Sequence, residues 1–173
     1  MLTRFAVLAV LVLTLAGCVL QSQEPVFSDE QSSLVLGRSA VTMKSYSWKD
    51  GEWTEDKERL ALTVEGRHYV GEEDGDTAGL AFIPLSGGWF AVQATESAKP
   101  TNYTLATVEN GVAVFHLLEC ADLKKRAELA AYIDYQRDDC FIKDGANAMA
   151  LFGELIKQPG EPSAKIEPLP PVP

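Results

Sequence analysis

The chain holds two imidazole side chains that could serve as a general base, His68 and His116. Either one could activate a serine hydroxyl for hydrolysis if a carboxylate orients its ring. Ser86 lies beside two glycines, but the stretch PLSGGW lacks the G-x-S-x-G pattern of a nucleophile elbow, and we expect its glycines to form a turn. The sequence therefore predicts no particular catalytic residue.

Carboxylates cluster in residues 72–76, whose sequence EEDGD offers oxygens of the kind that bind Ca²⁺. The cluster lacks the alternating acidic spacing and the closing glutamate of an EF-hand loop, so we interpret it as a solvent-exposed loop. Cys120 and Cys140 match neither a C-x-x-C motif nor a zinc pattern, and neither histidine is close to them in the sequence. We therefore predict no metal site and no cofactor.

Two tryptophans, Trp48 and Trp53, flank the stretch KDGE. Asp50 and Gly51 tolerate the positive φ angles of a two-residue hairpin turn, which would place the two indole rings opposite each other on neighbouring strands. Such a pair either packs at the edge of the core or forms an exposed aromatic face for a sugar or an apolar partner. We therefore mark Trp48 and Trp53 as a possible ligand face.

The N-terminal segment is apolar from Phe5 to Leu15, apart from Thr14, and Arg4 precedes it. It is shorter than the ~20 residues that a membrane-spanning helix needs. A basic start, an apolar middle and small residues at the end are typical of an export signal instead. An ordinary secretory signal would also carry a small residue where Leu15 stands, so plain secretion does not explain the segment.

The end of this segment, Leu15-Ala16-Gly17-Cys18, resembles the lipobox of bacterial lipoproteins, which runs aliphatic, small, small and then cysteine. The resemblance implies cleavage between Gly17 and Cys18, a lipid thioether on Cys18, and fatty acylation of the new amino group. Several acyl chains would meet the need for two signals in stable anchoring. The family's sorting pattern, with Val19 rather than aspartate after the cysteine, implies the outer membrane of the cell envelope, with the domain facing the periplasm.

The same resemblance accounts for the other two cysteines. Three cysteines in an exported protein leave one unpaired. If Cys18 takes the lipid, Cys120 and Cys140 are free to form a disulfide in an oxidising compartment. Closing a loop of about 20 residues would stabilise the fold by roughly 3 kcal/mol through the chain entropy of the unfolded state.

Period-two alternation predicts strands in the first two thirds of the chain. The strongest pattern is TNYTLATVENGVAVFHLLE, in which two alternating runs flank Asn110-Gly111, a pair that suits a type I′ hairpin turn. Alternating or apolar runs also occupy residues 60–64, 68–70, 80–83 and 89–93. These runs predict an antiparallel arrangement of consecutive hairpins.

The period changes after the last of these runs. Apolar residues recur at helical spacing from Leu123 to Ile133, with Asp122 placed to cap the start. A second helix is predicted after Asp144, ending before Pro159. We therefore predict an α+β fold, an antiparallel β-meander of about six or seven strands with two C-terminal helices on one face. The alternative is a small open β-barrel.

These features divide the chain into four parts. Residues 1–17 form the predicted signal peptide, residues 18–33 the lipidated cysteine and a flexible tether, and residues 34–157 the globular domain. Residues 158–173 form a proline-rich tail that cannot continue a helix or join a central strand. We therefore expect this tail to be extended and mobile.

Charge restricts the partners of the chain. With a formal net charge of −10 at pH 7, its surface repels both nucleic-acid phosphates and anionic lipid headgroups. We therefore expect no nucleic-acid partner and a membrane contact through the lipid on Cys18. The sequence favours a lipid-anchored binding or structural module with an envelope protein or a glycan as partner. The alternative is a lipid-anchored envelope hydrolase that uses His68 or His116.

Overall fold

The computed structural model of the chain describes residues 19–73, 76–97 and 99–169. The predicted signal peptide, the cleavage point between Gly17 and Cys18, and the lipid on Cys18 lie outside these residues and stay predictions. Within the described residues, no helix is both long enough and apolar enough to cross a membrane.

The described residues are mostly β-strand, and their strands belong to one sheet. Its strands are β1 (Leu20–Ser22), β2 (Val41–Lys49), β3 (Glu52–Glu65), β4 (His68–Glu73), β5 (Asp76–Pro84), β6 (Trp89–Glu96), β7 (Thr101–Glu109), β8 (Val112–His116), β9 (Ile133–Gln136), β10 (Asp139–Ile142) and β11 (Ala164–Pro168). The α-helices of the same residues are a single turn, α1 (Cys120–Leu123), and the longer α2 (Ala148–Leu155).

Eight of these strands close into an antiparallel barrel. Strands β2 to β8 follow one another along the chain as a meander. Strand β11 then pairs with β8 on one side and with β2 on the other, so that Ile166 lies opposite both Ala113 and Ser45. The closing pairings are therefore the ones that join distant parts of the sequence.

The predicted α+β fold is wrong, because β11 turns the expected meander into a closed barrel. The open barrel fails as an alternative for the same reason. The expected mobile tail contains β11, and the segment from Ala164 to Glu167 carries no proline, so its backbone N–H groups are available for pairing. Pro162 and Pro168 stand before the strand and at its last position, where proline is tolerated.

The first predicted helix, from Leu123 to Ile133, is also wrong. The chain makes the short α1, then a 3₁₀ turn at Ala127–Ala131, and Ile133 begins strand β9. Strand β9 pairs with β10, which in turn lies parallel to β1. The apolar residues from Leu123 to Ile133 have helical spacing, but the pairing of β9 with β10 determines the structure instead. The second predicted helix is present as α2.

Two apolar cores stabilise this arrangement. The inner core fills part of the barrel and includes Met43, Leu62, Tyr69, Phe82 and Phe115. The outer core lies between the outward face of β5 to β7 and the α2 layer; its buried members include Leu20, Phe27, Ile83, Tyr103, Leu105, Leu129, Leu151 and Phe152. Side-chain alternation along the shared strands therefore supplies both cores at once.

Residues 19–33 pack against the barrel, where the sequence predicts a flexible tether. Val19 is 1% exposed and forms a bridge with Glu119, and Leu20 begins β1 between β7 and β10. Phe27 is 4% exposed, and its backbone N–H and carbonyl bond to the Gln93 amide. The apolar residues of this segment therefore bind it to the domain.

Three local predictions are confirmed. Asn110 and Gly111 have φ angles of 52° and 79° and join β7 to β8, as a type I′ turn requires. Asp50 and Gly51 make the matching turn between β2 and β3. The disulfide between Cys120 and Cys140 is present, with Cα atoms 5.6 Å apart, and links α1 to β10.

Candidate ligand site at the polar end of the barrel

The barrel interior is apolar at one end and polar at the other. Leu36 closes the apolar end, where its backbone N–H donates to the Tyr69 hydroxyl over 2.8 Å. Met43 belongs to the inner core, and alternation along β2 turns Ser45 and Ser47 to the same inward face. The inward positions therefore change from apolar to polar along one strand.

A β-bulge places a carboxylate at this polar end. Lys44 pairs with Arg59 and Tyr46 with Glu55, so Ser45 alone faces residues 56–58 of β3. Extra residues of this kind redirect side chains. Here the Ser47 hydroxyl donates to Asp56 Oδ1 over 3.2 Å, which holds the carboxylate toward the barrel interior.

Three buried side-chain atoms lack a hydrogen-bond partner among the side chains that the structure describes: Ser45 Oγ, Asp56 Oδ2 and Asn102 Oδ1. Asn102 pairs with Ala94 of the inner core, so it shares the inward face with Ser45. A buried polar atom without a partner costs about 1–3 kcal/mol. Asp56 bonds to Ser47 of the same face, so all three residues lie inward, and each has an oxygen without a hydrogen-bond partner.

A groove of about 710 Å³ opens at this end of the barrel, and Asp56 is the one of these three residues that lines it. Ser47, Asp56, Thr104 and Phe115 line its floor, and residues 160–163 form one wall. That wall is held in place from two sides, since the Ser163 carbonyl accepts from Trp48 N–H and the Ser163 N–H donates to the Phe115 carbonyl. These two hydrogen bonds therefore hold that wall between β2 and β8.

The lining of the groove is acidic. Asp56, Glu119, Asp122 and Glu161 contribute carboxylates, and Lys49 is the one basic residue among the lining side chains that the structure describes. Asp122 also pairs with Lys125 over 2.7 Å, which offsets part of this charge. The groove therefore favours a cationic or a hydrogen-bond-donating ligand.

The two tryptophans of the predicted ligand face are in contact, as expected. Their ring centroids are 4.9 Å apart with planes at 60°, and the residues pair directly across the hairpin. Only Trp48 of the two lines the groove. Trp53 instead contacts Lys165, whose Nζ lies 5.4 Å from the ring centroid. The predicted face is therefore divided between the groove and the outer wall of the barrel.

The two histidines lie in different places and make different contacts. His68 Nδ1 is 2.8 Å from Asp29 Oδ1, and this hydrogen bond is the main cause that lowers the pKa of the Asp29 carboxyl. His116 Nδ1 is 3.0 Å from the Gly160 carbonyl, and its ring lies 5.0 Å from that of Trp89. Within residues 19–73, 76–97 and 99–169, no hydrogen bond joins either imidazole to a serine, threonine or cysteine side chain.

The other motifs of the sequence add no second site. Gly87 and Gly88, with φ angles of 67° and 79°, form the expected turn after Ser86. In the described part of the chain, no group of three or more histidine, cysteine, aspartate or glutamate side chains is placed to hold a metal ion. Two positions of the acidic stretch, 74 and 75, lie outside that part.

Sequence reasoning missed the residues that define this site. Asp56 belongs to a polar stretch with no motif, and Asn102 lies in the predicted hairpin strand, where nothing in its spacing distinguishes it from other strand residues. One signal was available, because Met43, Ser45 and Ser47 alternate on a single strand face. Polar residues on the buried face of a strand often mark a functional position.

Known proteins assign no function to this site. Comparison of the chain with protein-family models, with curated proteins and with solved structures finds no match. The contacts of the groove and of the buried atoms near it are therefore the basis for a function.

Proposed function

We propose that this chain is a lipid-anchored module of the bacterial cell envelope that binds a small polar ligand at the polar end of its barrel. The observation that carries the proposal is the set of unpartnered atoms on Ser45, Asp56 and Asn102. Buried polar groups without partners reduce the stability of a fold. A ligand that bonds to them accounts for their presence where apolar side chains would pack better.

The size of the barrel supports a small ligand. An eight-stranded barrel is wide enough either to be filled by side chains or to hold one small ligand. Large residues such as Tyr69 and Phe82 fill the inner core, while the groove of about 710 Å³ stays open at the polar end. That volume lies within the ~300–1,000 Å³ of typical small-molecule sites.

The anchoring part of the proposal rests on the lipobox resemblance. Val19, which follows Cys18, is buried and bridged to Glu119 on the rim of the groove. A lipid on Cys18 would therefore hold the groove close to the bilayer without a flexible spacer. We assign this position to the periplasmic face of the outer membrane, and a protein or glycan partner there stays a prediction.

Native mass spectrometry of the chain purified from its own envelope in mild detergent tests the ligand site. We expect a non-covalent adduct of small mass that is reduced in Ser45→Val, because the added methyl groups occupy the polar end. Glu109→Gln, which changes an exposed carboxylate at the opposite end of the barrel, is the matched control. An adduct of equal abundance in both variants, or none in the wild type, would contradict the proposal.

A second candidate function is hydrolysis at His68, supported by the hydrogen bond of 2.8 Å to Asp29. A carboxylate on Nδ1 leaves Nε2 available to activate water, as in a general-base dyad. The pair borders a groove of about 230 Å³ that also includes Thr95. Cleavage of a chromogenic ester should be lost in both His68→Ala and Asp29→Asn and retained in the control His116→Ala. Equal cleavage rates in all three variants would exclude this function.

A further inference from the structure

The chemistry of the polar end indicates the class of ligand. We propose that the ligand is an aliphatic primary amine, whose ammonium group binds at Asp56 and whose alkyl part lies in the groove. This inference rests on the proposed function, since it names the ligand of the same site. The ammonium group has two sources in a cell envelope, a free di- or polyamine and the ethanolamine headgroup of a phospholipid.

The open atoms call for donors from the ligand. Asp56 Oδ2 and Asn102 Oδ1 only accept hydrogen bonds, and Ser45 Oγ is able to accept one. An ammonium group carries three N–H donors and no acceptor, whereas a hydroxyl carries one donor. An ammonium group therefore matches these atoms better than a hydroxyl does.

The Asp56 carboxylate favours a cation over a neutral donor. Oδ1 accepts from Ser47, while Oδ2 is buried without a hydrogen bond. The nearby Arg59 guanidinium bonds to the Asp56 backbone carbonyl and to the Glu55 carboxylate. A buried carboxylate oxygen gains most from a cationic partner, because a charge-assisted hydrogen bond is stronger than a neutral one.

A second, independent observation lies beside the carboxylates of the rim. Ser45 is 2% exposed, and its hydroxyl points into the barrel opposite the bulge that carries Asp56. Carboxylates that are merely solvated at a rim do not explain why a nearby hydroxyl is buried without a hydrogen-bond partner. The unpartnered atoms therefore continue inward from the part of the groove that Ser47 and Asp56 line.

The walls of the groove suit an alkyl chain. Phe115, Leu117 and Pro162 line it with apolar surface, and Trp48 is also among its lining residues. Methylene groups gain about 0.8 kcal/mol each when they are buried. An indole ring also attracts a cation that lies over its face. These contacts select an amine with an aliphatic chain over ammonium ion itself.

The test compares two ligands of one shape on the full-length processed protein in non-ionic detergent. Isothermal titration with putrescine should give saturable binding. The affinity for 1,4-butanediol, which has hydroxyls in place of the amines, should be at least about tenfold lower. Asp56→Asn should weaken putrescine binding about tenfold, and Glu109→Gln should leave it unchanged. Ser45→Ala, which removes only the open hydroxyl, should also weaken it.

A lipid arm identifies the source of the amine. Mixed micelles of the same detergent with phosphatidylethanolamine should compete with putrescine if the headgroup is the ligand. Mixed micelles with phosphatidylcholine, which has no N–H donor on its headgroup, should not compete. Putrescine binding without competition would assign a free amine. Both results support the ammonium site.

Two outcomes overturn the proposals separately. Equal binding of putrescine and butanediol, or no amine binding by a protein that carries a native adduct, would refute the amine and leave the ligand site intact. Absence of both the adduct and any probe binding would refute the proposed function together with this inference.

Discussion

Ser47 Oγ donates a hydrogen bond to Asp56 Oδ1 over 3.2 Å, while Oδ2 of the same carboxylate is buried without a partner. The protein thus holds Oδ1 in place, while Oδ2 keeps the capacity to accept a hydrogen bond from a ligand. The bulge that permits this geometry also places Ser45 opposite residues 56–58. The polar end of the barrel therefore combines fixed positions with open bonding capacity.

Two buried serines offer a direct test of this open capacity. Ser45 has no partner, whereas the Ser32 hydroxyl, in a residue that is 0% exposed, bonds to the Asp29 and Arg67 carbonyls. We expect Ser45→Ala to keep or raise the free energy of unfolding, and Ser32→Ala to lower it by about 1–2 kcal/mol. Urea denaturation measures both. A comparable loss in the two variants would mean that Ser45 is bonded.

The tryptophan pair separates groove contacts from wall contacts. Trp48→Ala should weaken putrescine binding, because Trp48 lines the groove, and Trp53→Ala should not. Each variant removes the same ring contact of 4.9 Å, so each controls for loss of the pair. Titration calorimetry provides the measurement, and equal losses would place the ligand outside the groove.

The Asp29–His68 pair predicts a pH dependence of stability. The hydrogen bond from His68 lowers the pKa of Asp29 below its ordinary value of 3.8 in the folded state. A lowered pKa stabilises the fold above pH 3.8, and this contribution is lost as the pH falls through the folded value. Asp29→Asn should therefore cost stability at pH 7, by less than about 1 kcal/mol for so exposed a pair, and nothing at low pH.

Urea denaturation between pH 2 and pH 7, a range of about five units around the ordinary carboxyl pKa, measures this difference. Glu30→Gln is the control, because the neighbouring Glu30 has no hydrogen bond of its side chain in the described part of the chain. A difference between wild type and Asp29→Asn that stays constant over the whole range would contradict the linkage.

The disulfide should contribute to stability. It closes a loop between residues 20 positions apart, and replacing both Cys120 and Cys140 with serine should lower the free energy of unfolding by about 3 kcal/mol. Peptide mass mapping without reductant should find the two cysteines joined. Free thiols at both positions would refute the cross-link.

The lipid anchor is tested by Cys18→Ser. This change removes the only thiol that the lipobox resemblance assigns to lipid, so metabolic labelling with a fatty acid should disappear and the uncleaved precursor should accumulate. The Cys120→Ser/Cys140→Ser protein should keep its label and serves as the control. Normal processing of Cys18→Ser would remove the anchoring part of the proposed function.

Local chemistry explains which parts of the fold could be predicted. The turns at Asp50-Gly51 and Asn110-Gly111 follow from residue types that tolerate positive φ, and the strands on either side follow from alternation. The helix expected from Leu123 failed because its apolar spacing also suits a turn and a strand, and pairing with β10 decided between them. The candidate site could not be predicted for a related reason, since Ser45 and Asn102 come to share the interior of the barrel only after it closes.

Local sequence specifies the hairpins, supplies two cysteines for a disulfide, and contains enough apolar residues to bury a core. These properties depend on residues that are close together in the chain. Long-range pairing, in contrast, sets the closure of the meander by β11, the packing of residues 19–33 against it, and the position of Ser45 opposite residues 56–58. The reason is physical, because closure depends on backbone hydrogen bonds between distant segments, and no local pattern specifies which distant strand will supply them.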